Sequence, residues 1–168
     1  MAVNTGNTLK NIHNRVHDGA QVAVTSDFTA QIVGYEGATF KLVRQIPWAV
    51  LTPGEAMEVP GPMGTVHWQA TQATGHQQGA VAFLETVTGS ADALLVALLA
   101  DGGTFDMVVY EGTPERFTRA KRYKKCSLTA EPVDRDWESR QQPLQINGTL
   151  FYHYYGDDLE GNAESLNG

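Results

Sequence analysis

The sequence predicts a mainly β protein, an antiparallel β-sandwich or barrel built as a single domain over 1–168 with one short buried helix at about 90–100. Three observations carry that expectation. Apolar residues recur at every second position in several separate runs, which is the period of a half-buried strand. Glycine supplies 17 of 168 residues and threonine recurs throughout, as strands joined by tight turns require. Only 90–100 has the continuous Ala/Leu composition of a buried helix.

A chain of this length can bury one sizeable core but not two ordinary ones. Its hydrophobic fraction of 42% and charged fraction of 18% are those of a folded domain, not of a disordered segment.

Taken in order, 1–19 reads as an N-terminal arm or short helix. Leu9, Ile12 and Val16 stand at helical spacing, with Asn7 or Thr8 available as a cap and Gly19 as a stop. From Ala20 the pattern turns to strand: Val22, Val24, Phe28, Ala30 and Ile32 share one parity. A turn bracketed by Gly34 and Gly37 leads to a returning strand over Thr39 to Ile46, giving a hairpin-like pair. The stretch 47–64 carries Pro47, Pro53, Pro60 and Pro62 with three glycines, so it reads as a long loop without regular pairing. Trp48, Val50, Leu51 and Met57 lie on it, and apolar residues on a long loop imply packing against the barrel or another subunit.

Thr65 to Thr74 and Val81 to Val87 read as strands around a turn at Gly75 to Gly79. Ser90 is the expected cap of the helix, Asp92 suits its first turn and Gly102 its end. The helix is apolar enough to suggest cover on both sides. Thr104 to Tyr110, Tyr123 to Glu131 and Leu144 to Tyr155 complete the strands, the last two separated by a turn-rich segment, Asp134 to Pro143. Phe151 and Tyr155 on the otherwise polar face of the last strand hint at a subunit contact. The acidic stretch 156–168, with Asp157 and Asp158, reads as a flexible tail.

No motif for catalysis emerges. The lone Cys126 sits in a strand pattern and allows neither an intrachain disulfide nor a cysteine zinc site. His13 and His17 share a helix face, but Asn14 stands where a zinc protease needs its glutamate. Asp134, Asp136 and Glu138 alternate around Trp137 without the glycine and distal glutamate of a calcium loop, so salt bridges to Arg135, Arg140 or a partner are expected instead. Gly89-Ser90 lacks the second glycine of a hydrolase elbow. We therefore expect no enzyme activity, cofactor or metal.

The net charge of −7 argues against general affinity for nucleic acid. The longest apolar run, Ala93 to Ala100, is too short for a membrane anchor, and the start lacks a signal-peptide pattern, so a soluble protein made in the cytoplasm is expected. Against this background Arg116, Arg119, Lys121, Arg122, Lys124 and Lys125 stand out, half of the twelve basic residues within ten positions. They read as a nucleic-acid patch with Phe117 and Tyr123 for stacking, as a solvated loop, or as a contact for the acidic 157–160 surface of an adjacent copy.

The stretch Lys125 to Glu138, KCSLTAEPVDRDWE, followed by Gln142 to Leu150, QPLQINGTL, resembles the C-terminal part of the tail tube proteins of contractile-tailed bacteriophages. The order of strands, the helix after Gly89 and the overall size are similar as well. The resemblance implies hexameric rings stacked into the inner tube of a tail, with the helix outside the barrel. Partners would be a sheath protein, baseplate and tail terminator proteins, and phage DNA passing the lumen without specific binding. The location would be the virion, after assembly in the host cytoplasm. Trp48, Met57, the six basic residues, Asp134, Asp136, Trp137, Asp157 and Asp158 would then be candidate contacts between subunits or rings, together with the arm and 47–64. Inner-tube subunits of secretion systems or phage-like injection particles are the near alternative. A small ligand-binding β-barrel is the alternative of another class.

Overall fold

The computed structural model describes residues 5–18 and 22–162. The expectations placed on 1–4, on Gly19 and Ala20, and on the tail from 163 lie outside them.

The architecture is a nearly closed antiparallel barrel with a separate two-stranded ribbon. In chain order it comprises α1 (Gly6–His17), β1 (Thr29–Ile32), α2 (Glu36–Leu42), β2 (Val43–Gln45), β3 (Met57–Pro60), β4 (Val66–Gln69), β5 (His76–Leu84), α3 (Ser90–Ala100), β6 (Phe105–Gly112), β7 (Phe117–Ala130), β8 (Gln145–His153) and β9 (Asp158–Glu160). Spatially the barrel strands run β1-β6-β7-β8-β5-β2, with β9 added to β7, while β3 and β4 pair only with each other. The expected mainly β class, with its short helix at 90–100, is what the chain adopts.

The barrel turns its corner within β7. Its first half pairs with β6 and its second half with β8. Between them the register slips, Lys125 takes φ 47°, and two inward side chains, Tyr123 and Cys126, stand three residues apart. An inserted residue of this kind bends a strand and re-aims its side chains. Inside the corner lie Phe83, Met107, Val109, Tyr123, Leu150 and Tyr152, all buried in one cluster. Tyr123 and Tyr152 stack with centroids 4.5 Å apart. Side chains fill this interior, as is usual for a small barrel.

The N-terminal third departs most from the sequence reading. Only Thr29–Ile32 of the expected first strand pairs, and its partner is β6 rather than the following segment. The expected returning strand begins as α2. Thr39 and Leu42 are both buried, three positions apart, which suits a helix turn and not a strand face. Thr39 fixes the turn: its hydroxyl donates to the Tyr35 carbonyl at 3.0 Å and accepts from the Ile32 amide at 3.1 Å. The helix thus spans the gap between β1 and β2, the two ends of the barrel path.

Smaller corrections follow from tertiary pairing. Regular pairing does occur within 47–64, because Met57–Pro60 zips against Val66–Gln69 around a single 3₁₀ turn at Pro62–Gly64. The turn expected at Gly75 to Gly79 is instead the first half of β5, paired with β8 from His76 onward. Gly79 is there because a Cβ would run into the Pro47 ring. The tail from Gly156 does not begin by fraying: Asp158–Glu160 pairs with Lys121, Ala120 and Arg119.

α3 begins as expected, but its cap is Glu85 rather than Ser90. The Glu85 carboxylate accepts from the Ala91 and Asp92 amides at 2.9 and 3.0 Å. Ser90 is already the first helical residue, after Gly89 in the left-handed region. Partial burial pushes the Glu85 carboxyl up, but these amides, that of Thr86 and the nearby Arg135 outweigh it, so its pKa lies below the usual carboxylate value. Ala91, Leu94 and Leu98 face the core, whereas Val96 and Leu99 are 66% and 75% exposed. The cover expected on both sides of α3 is supplied on one side only. α1 is likewise uncovered, with no buried residue, and it is capped by Thr5 instead of Asn7 or Thr8.

Candidate assembly surfaces

Five of the six basic residues lie on β7, which sorts them by parity and by its bulge, while Arg116 lies in the exposed turn just before it. Lys121 points inward. Its ammonium donates to the Ala49 carbonyl and lies 4.8 Å from the Trp48 ring and 5.0 Å from that of Tyr154. Desolvation pulls its pKa below the usual lysine value, against the opposing pull of Asp158. Two aromatic faces and a carbonyl are the partners that make such a burial tolerable. Arg119 lies 5.2 Å from the same Trp48 ring and pairs with Glu111.

The remaining basic residues divide between internal ties and open surface. Lys124 pairs with Asp157 at 3.0 Å, and the Arg122 amide donates to the Asp157 carbonyl. Complementarity between the basic strand and the acidic 157–160 segment is thus used within one chain. Asp158 also accepts from the Tyr154 hydroxyl; burial first, and then this carboxylate, push that phenol up to about 12. Arg116, Arg122 and Lys125 are exposed, and none of them joins either ion pair among the described residues.

Trp48 is half-buried and bridges to the barrel beside two cations. Its neighbours are stitched down by Tyr123, whose hydroxyl donates to the Pro47 carbonyl at 2.6 Å and accepts from the Ala49 amide at 2.9 Å. Met57 is different. It stands exposed on the ribbon with Val66, Met63 and Trp68, the last 68% exposed. Both faces of that ribbon are open, and a single bridge from Pro53 to Ala73 prolongs it toward the barrel.

Asp134, Asp136 and Trp137 lie on the exposed connection between β7 and β8, and Trp137 is 96% exposed. The salt bridges expected for the acidic residues with Arg135 or Arg140 do not form among the described residues. Asp136 instead accepts from the Glu138 amide at 3.0 Å and from the Ser139 hydroxyl at 3.3 Å, closing a tight turn. Trp137 is carried at the tip.

Chemistry finds little purchase. Among the described residues no three His, Cys, Asp or Glu side chains converge as metal ligands. Cys126 is buried, and desolvation pushes its thiol up to about 12, so it is not a thiolate at neutral pH. An open cavity of about 720 Å³ lies under 23–28, against Ile46, Trp48, Arg44 and Arg119, at the end of the barrel where β6 finishes. No described helix is long and apolar enough to cross a membrane.

The surfaces that sequence reasoning missed are the outer face of α3 and the open ribbon strand β4. The signal for the first was Val96 and Leu99 lying off the Ala91–Leu94–Leu98 stripe. For the second, four paired residues are too few for alternation to separate exposure from burial.

No protein-family model matches the chain, and no curated protein does. Among solved structures it is similar to a chain of the anti-feeding prophage baseplate, determined by cryo-electron microscopy with six-fold symmetrisation, at 13% identity and a TM-score of 0.53, covering 84% of this chain and 98% of that one. It is also similar to a chain in the cryo-electron microscopy structure of the anti-feeding prophage cap, the tube-terminating cap, at 11% identity and a TM-score of 0.50, covering 82% and 93%. At these identities the likeness is one of fold, and the chain carries the tube-type barrel fold found in both assemblies.

Proposed function

We propose that this chain is a structural subunit of a phage-tail-like contractile injection apparatus, forming a ring at the base, along the length or at the end of its tube. The observation that carries the reading is the extent of the likeness: 98% of the baseplate chain and 84% of this one are matched. Exposed apolar surfaces point the same way. The ribbon around Trp68, the tip of Trp137 and the outer face of α3 are too apolar to be accounted for by the isolated chain. The middle of the barrel is filled by Phe83, Met107 and Tyr123, so a small-molecule site would be confined to the open cavity at its end.

In this reading the subunits close into six-fold rings, and sheath, baseplate and terminator proteins are the partners. The ring forms part of an injection particle or a virion tail assembled in the producing cell. A net charge of −7 is compatible with a channel that passes a polyanion without holding it. Negative-stain electron microscopy across a concentration series tests the reading. Six-fold rings with an open centre support it; a monodisperse monomer at high concentration, also in the presence of its sheath and baseplate proteins, overturns it.

A further inference from the structure

We propose that α1 of one copy docks on the outer face of α3 of a second copy, making a head-to-tail contact along the assembly axis. The proposal rests on the ring-forming reading for its setting, but its own evidence is local.

Leu9, Ile12 and Val16 of α1 are spaced three and four apart and are all exposed, on a helix with no buried residue. Ala93, Val96 and Ala100 of α3 have the same spacing and are exposed too, with Leu99 beside them. Each stripe is about 10 Å long at 1.5 Å per residue. The α1 stripe has large side chains and the α3 stripe is mostly alanine, so large residues of one helix meet the shallow surface of the other.

Charge points to the same pairing. α1 holds Lys10, Arg15, His13 and His17 and no acidic residue before Asp18 at its C-cap, whereas α3 holds Asp92 and no basic one, with Asp101 at its C-cap. Asp92 lies on the exposed face beside Val96, and Arg15 and His13 flank the α1 stripe on either side. Glu131 and Arg135 line the groove next to Asp92. Complementary charge at the rim fixes partner and register.

The occupant is a second copy, because within one chain both stripes stay exposed and neither covers the other. A contact between two different surfaces of the same chain is heterologous, so it propagates from copy to copy.

Cysteine cross-linking between differently tagged chains tests this. One chain carries Ile12→Cys and the other Val96→Cys, both with Cys126→Ser. A disulfide between the two tags is expected on mild oxidation, because only two copies can supply it. Arg15→Asp or Asp92→Arg alone should lower the cross-linking yield at least tenfold, and the two together should restore it to within about threefold, at unchanged melting temperature. Absence of the inter-tag disulfide, or a charge-reversed pair no better than either single change, overturns the proposal. An Ile12→Cys/Ile46→Cys chain that cross-links within itself in place of the inter-tag product also overturns it, since α1 would then fill its own cavity. Inter-tag disulfides without six-fold rings would retain this contact while rejecting the ring reading.

Discussion

The segment Pro47 to Gln72 contains two apolar regions that the fold treats oppositely. Pro47 to Ala49 is drawn onto the barrel by Tyr123 and Lys121, both of which reach out from inside positions on β7 to bond its backbone. A few residues later the chain leaves the barrel and forms the ribbon, where Met57, Val66 and Trp68 stay exposed. The first region is apolar for the sake of the chain's own stability. The second contributes little to it, and the chain by itself leaves its apolar side chains open to solvent. Hydrophobic residues on a long loop do not therefore share one purpose.

That contrast can be broken or sharpened by substitution, taken from the largest effect on stability to the smallest. Leu150→Ala on β8 removes a side chain that is 1% exposed at the centre of the barrel. A loss of about 2–5 kcal/mol is expected, read as a shift in urea midpoint. Tyr123→Phe keeps the stacked ring but orphans the Pro47 carbonyl and the Ala49 amide. It should cost about 1–3 kcal/mol, and proteolysis should then begin within 47–52 before the barrel opens. An unchanged cleavage pattern would mean that Lys121 and Trp48 suffice to hold the segment.

Glu85→Ala removes the cap of α3 and should cost about 1 kcal/mol. Its sign with pH follows from a folded pKa that is lowered. The contribution is present above the ordinary glutamate pKa of about 4.5 and is lost as pH falls through the lower folded value. The gap between wild type and Glu85→Gln should therefore narrow in acid denaturation profiles below about pH 4.5. A gap that stays constant would assign the effect to packing. Last, Trp68→Ser on the ribbon should change stability by less than about 0.5 kcal/mol while weakening self-association at least tenfold by sedimentation velocity. A large loss of stability would erase the distinction between the two regions.

The barrel's last strand was legible because Gln145 to His153 carries a long alternating pattern, and the α3 helix because of its Ala/Leu composition. The N-terminal third was not, since Thr39-Phe40-Lys41-Leu42 alternates as well as any strand. Only the contact of Thr39 with Ile32 and the buried Leu42 select a helix there. The basic cluster was visible as composition, but the bulge at Lys124–Lys125 that sends Lys121 inward and leaves Arg122 out has no local signature. Sequence likewise suggested that 116–125 and 157–160 attract each other, yet it could not say that β9 would bring them together within one chain.

The order of pairing also constrains how the chain comes to be folded. β8 holds β5 on one side and β7 on the other, and its His153 is the partner of His76. β1 has to wait for β6, whose Tyr110 meets Thr29. β6 and β7 form a tight hairpin, but β5 with β8, β1 with β6 and β2 with β5 join segments far apart in sequence, pairings that form slowly because loop closure precedes its reward. During synthesis the ribbon and α3 emerge well before β8 can complete the sheet beneath them. A nascent chain thus displays its apolar assembly surfaces before it has a barrel to carry them. Exposed apolar surface on an incomplete chain is the feature that makes such species prone to aggregate.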